Sequence, residues 1–302
     1  MTATGLSNFT WRFDPIVGLP HAVIPNMAMW NATNGADLDY QIQVSWPLEW
    51  ESRDVDRTAL TMYVLDGNAL GMTGTEAWRR RLAVEPTQPD NIVVSIGYPV
   101  MDSVYGSQRS IDFQPVTPGE PSPPVPGVRE GADVFIDFID GALRPFIHSN
   151  FPSVAFSRDV IYGHSFGGLF VIYALLRRPD LFDTFLAASP ALYWNDGYIL
   201  NHTSWLNEAK LPPNATKPAF RLAYGDLEQY VLRRRTETDE QYRARKELYA
   251  TFAMADNCHV LYQYLKDSTA LRDIVLKEYI GSDHASVGSV ALTDGIDYFV
   301  DW

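Results

Sequence analysis

The stretch Ile161-Tyr-Gly-His-Ser-Phe-Gly-Gly-Leu169 decides the fold of this 302-residue chain. Residues 158–162 predict a short buried strand, and residues 167–178 predict a helix that ends before a proline. A Gly-x-Ser-x-Gly sequence between a strand and a helix is typical of a sharp turn that raises one hydroxyl above the sheet edge. Only glycine lets the neighbouring backbone pass that closely. The pattern therefore predicts Ser165 as a nucleophile.

The composition is that of a globular chain with a sizeable core, because 46% of the residues are hydrophobic and 20% are charged. The formal net charge of −13 disfavours a nucleic-acid partner, since a phosphate backbone would be repelled. Cys258 is the only cysteine, so no disulfide can form within the chain. The sequence has no signal-like start and no apolar stretch of membrane-spanning length. We therefore expect a cytoplasmic protein with no nucleic-acid or membrane partner.

The rest of the chain alternates between predicted strands and predicted helices. Two alternating segments around Asn34-Gly35 predict an antiparallel hairpin, and later apolar runs predict strands buried on both faces. The predicted strands are residues 21–30, 38–46, 60–65, 91–96, 158–162, 184–188, 220–224 and 275–280. The predicted helices are residues 75–84, 132–147, 167–178, 240–265 and 289–300. Together they predict the α/β-hydrolase fold, with a mostly parallel central sheet, an antiparallel N-terminal hairpin and helices on both faces.

We expect a single domain over residues 1–302, because no internal repeat and no clean linker interrupts the pattern. The segment at about 101–130 does not follow the alternation of predicted strands and helices. Its core, residues 114–128, is too rich in proline for a helix or a sheet. A long ordered loop or lid is expected there, and a disordered insertion without a role is the alternative.

A serine hydroxyl becomes a nucleophile only when a base removes its proton and an acid holds that base in the correct tautomer. In this architecture the chain order is Ser, then Asp or Glu, then His. Among the histidines that follow the elbow, His284 lies just past the last predicted strand, in a loop where catalytic groups collect. His259 lies in a predicted helix, and His202 precedes any strand that could supply the acid. We predict His284 as the base.

The acid is expected in the loop after residues 220–224. That loop contains Asp226 and Glu228, and the spacing alone does not choose between them. Asp226 would have the stiffer reach, whereas Glu228 would have more room.

The tetrahedral intermediate of an acyl transfer needs an oxyanion hole with two backbone donors. One donor is expected to be the N–H of Phe166, which follows the serine. The other is expected in the loop Asp66-Gly67-Asn68-Ala69 after a predicted strand, where we favour Asn68 over Gly67.

Five segments of the sequence together resemble a known family. They are Tyr63-Val-Leu-Asp-Gly-Asn68, Gly163-His-Ser-Phe-Gly-Gly168, Ser189-Pro-Ala-Leu-Tyr-Trp-Asn195, Gly225-Asp-Leu-Glu228 and Gly281-Ser-Asp-His284. Their order and spacing resemble the putative-esterase branch of the α/β hydrolases over about residues 20–300. Within that branch the chain looks most like siderophore esterases, namely the fungal esterases of fusarinine and triacetylfusarinine C and the bacterial enterobactin-type trilactone esterases.

The resemblance implies a serine esterase that needs no cofactor and no metal. In that branch the acid commonly falls three residues after the glycine of Gly225-Asp-Leu-Glu228, which corresponds to Glu228. The resemblance also implies that Arg109, in Arg109-Ser-Ile-Asp112-Phe113, lines the substrate cleft. Trp194 is expected near the elbow as a flat apolar wall for a large ligand.

We therefore expect a serine esterase that hydrolyses ester bonds of a cyclic hydroxamate siderophore of the fusarinine C or triacetylfusarinine C type and releases its iron inside the cell. An acidic chain would not repel such a complex, which lacks the strong negative charge of a catecholate complex. A general carboxylesterase of the feruloyl or S-formylglutathione type is one alternative. A non-catalytic hydrolase-fold binding protein is the alternative from another class.

Overall fold

A computed structural model describes residues 11–18, 24–35, 38–99, 102–117, 130–209, 211–212 and 215–301. The contact pattern divides the chain into two compact units, one from Met1–Ile161 with Val300–Trp302 and one from Tyr162–Phe299. The single domain over residues 1–302 stays a prediction. So does the lid, because residues 118–129 of the proline-rich segment lie outside the described residues.

The first unit holds the N-terminal strands. β1 to β5 lie in the order β1-β2-β3-β5-β4, with β4 and β5 parallel and the other neighbours antiparallel. The strands are β1 (Arg12–Gly18), β2 (Met27–Thr33), β3 (Asp39–Ser45), β4 (Arg57–Leu65), β5 (Asp90–Gly97) and β6 (Val154–His164), the last of which continues into the second unit. The helices are α1 (Gly67–Val84), α2 (Arg109–Asp112), α3 (Ala132–Phe138) and α4 (Arg144–Asn150), with a π-helical turn at Ile139–Leu143 between the last two.

The predicted N-terminal hairpin is confirmed by β2 and β3, in which Thr33 pairs with Asp39. Residues 21–23, at the start of its predicted first arm, lie outside the described residues. The additional strand β1 was not predicted. It contains a proline and shifts register between Pro15 and Val17. Proline removes a ladder donor and is tolerated at sheet edges and bulges, so the local pattern argued against a strand here.

The helix α1 begins earlier than the predicted segment 75–84 and includes residues 67–69, which were expected to form a loop. Glycines in its first turns allow it to lie against β5. A Cβ on Gly67 would come within 3.0 Å of the Ile96 backbone, and one on Gly71 within 2.7 Å of Ser95 Oγ. Because glycine has a low helix propensity, the residues that permit this packing also hid the start of the helix.

The second unit contains the elbow and the strands that follow it. Its strands β7 (Thr184–Ala188), β8 (Ala219–Gly225) and β9 (Asp273–Tyr279) pair in parallel in that order. β7 and β8 are buried at every position, as expected for strands that are covered on both faces. The helices are α5 (Phe166–Arg177), α6 (Trp205–Glu208), α7 (Asp239–Phe252), α8 (Met254–Leu265) and α9 (His284–Val300), with 3₁₀ segments at Trp194–His202 and Asp226–Glu228.

The predicted single helix over residues 240–265 is wrong. Ala253 adopts a left-handed conformation with φ of 44° and separates α7 from α8. The two helices also differ in burial, since α7 has no buried residue whereas α8 buries one face that includes Met254 and Leu261. Neither glycine nor proline marks the break, so nothing in the local sequence indicates it.

Candidate active site

Ser165 lies at the turn between β6 and α5. Its φ of 60° and ψ of −119° are unfavourable for a residue that has a Cβ. The turn is held by the segment that follows β7. The N–H of Ser165 donates to the Ala188 carbonyl oxygen at 3.0 Å, and its carbonyl oxygen accepts from the Ala191 N–H at 3.1 Å. The strained conformation is therefore fixed by two backbone hydrogen bonds.

Two glycines allow this turn to close. A Cβ on Gly163 would lie 2.2 Å from the Gly167 carbonyl oxygen, and one on Gly168 would lie 2.9 Å from the Ala188 carbonyl oxygen. Side chains do not occur at such distances, so both positions require glycine. The close backbone approach expected from the Gly-x-Ser-x-Gly pattern is present in the structure.

The imidazole of His284 connects Ser165 with Glu228. Its Nε2 lies 3.0 Å from Ser165 Oγ, and its Nδ1 lies 2.5 Å from Glu228 Oε1. His284 begins α9, and Glu228 ends the 3₁₀ turn that follows β8. A carboxylate that accepts from Nδ1–H leaves the Nε2 lone pair directed at the hydroxyl, which is the tautomer that can remove a serine proton. The structure thus brings these three predicted residues into one hydrogen-bonded chain.

The other candidate acid, Asp226, makes a different contact. Its Oδ1 accepts from the Gly281 N–H at 2.7 Å. Gly281 has a φ of 80°, and the contact fixes the loop that leads to His284. The geometry therefore favours Glu228 as the partner of the imidazole, a choice that the spacing left open.

A further side chain, Ser189, orients the buried Glu228 carboxylate. Glu228 Oε2 accepts from Ser189 Oγ at 2.5 Å and from the Gly225 N–H at 2.6 Å. Ser189 is fully buried and has a φ of 43°. The sequence placed Ser189 only at the start of a family motif and assigned it no role. No periodicity or short spacing reveals a contact between residues 39 positions apart.

The ring of His164 packs against the ring of His284. Their centroids are 4.6 Å apart with an interplanar angle of 40°, and His164 is buried. A Cβ on Gly288 would come within 3.2 Å of the His164 ring. The variable position of the Gly-x-Ser-x-Gly sequence thus restricts the orientation of the His284 imidazole.

The two predicted oxyanion donors, Phe166 and Asn68, each lie in the first turn of a helix. The Asn68 side chain fixes its own turn to the end of β5. Its Oδ1 accepts from the Tyr98 N–H at 2.7 Å, and its Nδ2 donates to the Tyr98 carbonyl oxygen at 2.9 Å. Their role as oxyanion donors stays a prediction.

Arg109 is bound to the buried carboxylate of Asp66. Its Nε lies 2.7 Å from Asp66 Oδ1, and its Nη2 lies 2.9 Å from Oδ2. Asp66 precedes α1 and has a φ of 51°. Burial raises the pKa of Asp66, and the hydrogen bonds from Arg109 oppose that effect. Arg109 therefore anchors the start of α1, and its contact with a substrate stays a prediction.

Trp194 is buried, and its ring packs edge-on against Tyr198 with centroids 5.9 Å apart. This is core packing, and a ligand-facing role for Trp194 stays a prediction.

In the part of the chain that the structure describes, no group of three or more His, Cys, Asp or Glu side chains could hold a metal ion. Over the same residues, no helix has the length and apolar character needed to span a bilayer.

A family model described as "Putative esterase" matches residues 33–268. The chain belongs to this esterase family. It is therefore a carboxylic ester hydrolase, as the sequence predicted. "Siderophore enterobactin esterase" from Emericella nidulans is 41% identical over 295 residues, covering 95% of this chain and 96% of that protein. "Siderophore triacetylfusarinine C esterase" from Aspergillus fumigatus is 38% identical over 282 residues, covering 92% of this chain and 95% of that protein.

The solved structure of "Siderophore hydrolase EstA from Aspergillus nidulans" superposes with a TM-score of 0.87 at 40% sequence identity. The match covers 97% of this chain and 99% of that chain. The α/β-hydrolase fold and the resemblance to siderophore esterases, both expected from the sequence, are confirmed.

Replacing the acid should distinguish the two candidate carboxylates. We expect Glu228→Gln to lower kcat/KM for an aryl ester by about 10²- to 10⁴-fold, because an amide no longer stabilises the required imidazole tautomer and its charge. The matched variant Asp226→Asn keeps an oxygen that can accept from the Gly281 N–H, so its kcat/KM should fall by no more than about threefold. A larger loss in Asp226→Asn than in Glu228→Gln would contradict the assignment.

Removing the Ser189 hydroxyl should impair the chemical step rather than binding. We expect Ser189→Ala to lower kcat about tenfold with KM changed less than about twofold, because hydrogen bonds to charged groups contribute ~1.5–3 kcal/mol and Ser189 acts through Glu228. Steady-state kinetics with an aryl ester measure both constants. Ser268→Ala, which removes an exposed hydroxyl bonded to Asn207, is the control. A rise in KM at constant kcat would rule out this role.

Proposed function

We propose that this esterase hydrolyses the ester bonds of a cyclic hydroxamate siderophore of the fusarinine C or triacetylfusarinine C type. The observation that carries the proposal is the hydrogen-bonded chain from Ser165 through His284 to Glu228, in a protein whose relative from Aspergillus fumigatus is named for triacetylfusarinine C. The formal net charge of −13 agrees with it, because a hydroxamate complex of ferric iron carries no large negative charge to be repelled.

In the first half of the reaction, Ser165 Oγ attacks the ester carbonyl carbon while His284 Nε2 accepts the hydroxyl proton. Glu228 stabilises the imidazolium that forms. The N–H groups of Phe166 and Asn68 donate to the oxyanion of the tetrahedral intermediate. As this intermediate collapses, His284 returns the proton to the leaving alcohol oxygen, and the acyl group remains on Ser165.

In the second half, His284 removes a proton from water, and the resulting hydroxide attacks the acyl-enzyme carbonyl carbon. As the tetrahedral intermediate collapses and releases a carboxylic acid, His284 returns the proton to Ser165 Oγ. Each cycle therefore consumes one water and opens one ester bond. The iron enters with the substrate and leaves with the opened product. Arg109 and Trp194 are proposed to line the cleft that receives this large complex.

Opening the cyclic triester weakens iron binding, because a linear ligand loses the preorganisation that the ring provides. We infer that the reaction takes place inside the cell, after import of the intact ferric complex, where the released iron can be used.

A catecholate trilactone is the second candidate substrate, since the relative from Emericella nidulans is named for enterobactin. Its ester bonds would be hydrolysed by the same steps, and the ferric complexes of the two candidate substrates differ in charge. The acidic chain disfavours the catecholate complex by repulsion between like charges.

Mass spectrometry of the products tests the proposal. Ferric triacetylfusarinine C, ferric fusarinine C and ferric enterobactin are each incubated with the wild-type protein and with Ser165→Ala. We expect linear fragments of the hydroxamate triesters with the wild-type protein alone. Cleavage of ferric enterobactin alone would show that the substrate is a catecholate trilactone rather than a hydroxamate triester. Turnover of an aryl ester with none of the three siderophores cleaved would favour a general carboxylesterase.

A further inference from the structure

A small cavity of about 50 Å³ adjoins the Glu228–His284 pair. The rest of its wall is aromatic or apolar and consists of Tyr193, Tyr249, Phe252 and Met254. Apart from the two members of the hydrogen-bonded chain, none of these residues was predicted as part of the site. Ser165 does not line the cavity.

The break between α7 and α8 builds this wall. Phe252 ends α7, Met254 begins α8, and the left-handed conformation of Ala253 between them turns the chain. The Tyr193 ring stacks on the Phe252 ring with centroids 4.5 Å apart and an interplanar angle of 23°. The Tyr249 ring lies 5.9 Å from the Phe252 ring. Three rings from two segments thus form one continuous aromatic surface.

An ion pair holds α7 in this position. Arg245 donates through Nε to Glu237 Oε1 at 2.5 Å and through Nη2 to Oε2 at 2.8 Å. The hydrogen bonds from Arg245 lower the pKa of Glu237 to about 2, so this pair stays charged at neutral pH. The guanidinium of Arg245 also lies over the Tyr249 ring, 6.0 Å from its centroid. The aromatic wall is therefore fixed before a ligand arrives.

The wall is accessible to a ligand. Tyr193, Tyr249 and Phe252 are each partly exposed, and the side chain of His284 is 37% exposed. The Glu228 carboxylate already accepts three hydrogen bonds, from Ser189, Gly225 and His284. The cavity therefore offers an occupant mainly apolar surface, which favours hydrocarbon groups over polar ones.

The position of the cavity identifies which half of an ester it would receive. The imidazole that takes the serine proton must deliver it to the leaving alcohol oxygen, so that oxygen lies next to His284. Because Glu228 and His284 line the cavity and Ser165 does not, an occupant lies on the imidazole side of the ester, which is the side of the leaving alcohol. The volume allows only a few heavy atoms, since a cavity volume of about 10–15 Å³ is enough for one water molecule.

We propose that Tyr193, Tyr249, Phe252 and Met254 form an alcohol-side subsite that binds a short apolar group of the leaving alcohol. The subsite rests on the proposed ester hydrolysis through Ser165 and His284. It selects among esters by the shape of the alcohol, and it does not depend on which siderophore is the natural substrate.

Two series of simple esters test the subsite. In the first series the acyl group is always acetyl and the alcohol is ethyl, butyl or 3-methylbutyl. In the second series the alcohol is constant and the acyl chain grows. We expect Phe252→Ala to reduce the preference for 3-methylbutyl over ethyl acetate, as a ratio of kcat/KM, by about tenfold, since the alanine no longer buries the additional carbon atoms of the larger alcohol. The acyl-chain preference should change less than about twofold.

Leu248→Ala is the matched control, because Leu248 lies on the same helix, is exposed and does not line the cavity. Tyr193→Ala should act like Phe252→Ala, and Phe252→Leu should give an intermediate loss. Labelling of Ser165 by a fluorophosphonate at the wild-type rate shows that each variant is folded.

An unchanged alcohol preference in both alanine variants, with intact labelling, would overturn the subsite, as would a change in acyl preference alone. Failure of the wild-type protein to cleave any siderophore would refute only the proposed substrate, because the acetate esters report on the subsite separately.

Discussion

The site depends on the strained backbone of Ser165 and on the short segment that holds it. Residues 188–191 bind the Ser165 N–H and carbonyl oxygen at their two ends, and Ser189 between them donates to Glu228. One stretch of chain therefore fixes both the turn that carries the Ser165 hydroxyl and the Glu228 carboxylate that accepts a hydrogen bond from the His284 imidazole. This explains why a Ser-Pro sequence after β7 accompanies the elbow. Ser189 donates a hydrogen bond to Glu228, and Pro190 packs against Gly168, which has no side chain.

The parallel strands explain how residues far apart in sequence meet. Ser165, Ser189, Glu228 and His284 follow β6, β7, β8 and β9 respectively. The carboxyl ends of adjacent parallel strands lie along one edge of a sheet, where loops can carry chemical groups without disturbing the core. The buried sequences of β7 and β8 supply the rigid base, and the loops supply the function.

The sequence was sufficient for the features that depend on local pattern. The elbow, the buried strands and the position of His284 just after the last strand are each encoded within a few residues, and chain order limited the acid to Asp226 or Glu228. Features that depend on tertiary contact were not predictable. The early start of α1 requires glycines that meet β5, the break at Ala253 has no local marker, and the Ser189 hydroxyl acts on a residue 39 positions away. The aromatic cavity is a consequence of the break between α7 and α8.

The most direct measurement of the central claim is the rate and site of labelling by a fluorophosphonate, which reacts only with an activated serine. Peptide mapping should place a single adduct on Ser165, and His284→Ala should slow its formation at least about 100-fold, because the hydroxyl then lacks its base. No adduct on the folded wild-type protein, or an adduct on Ser165 that forms equally fast in His284→Ala, would contradict the account of Ser165 as a nucleophile activated by His284.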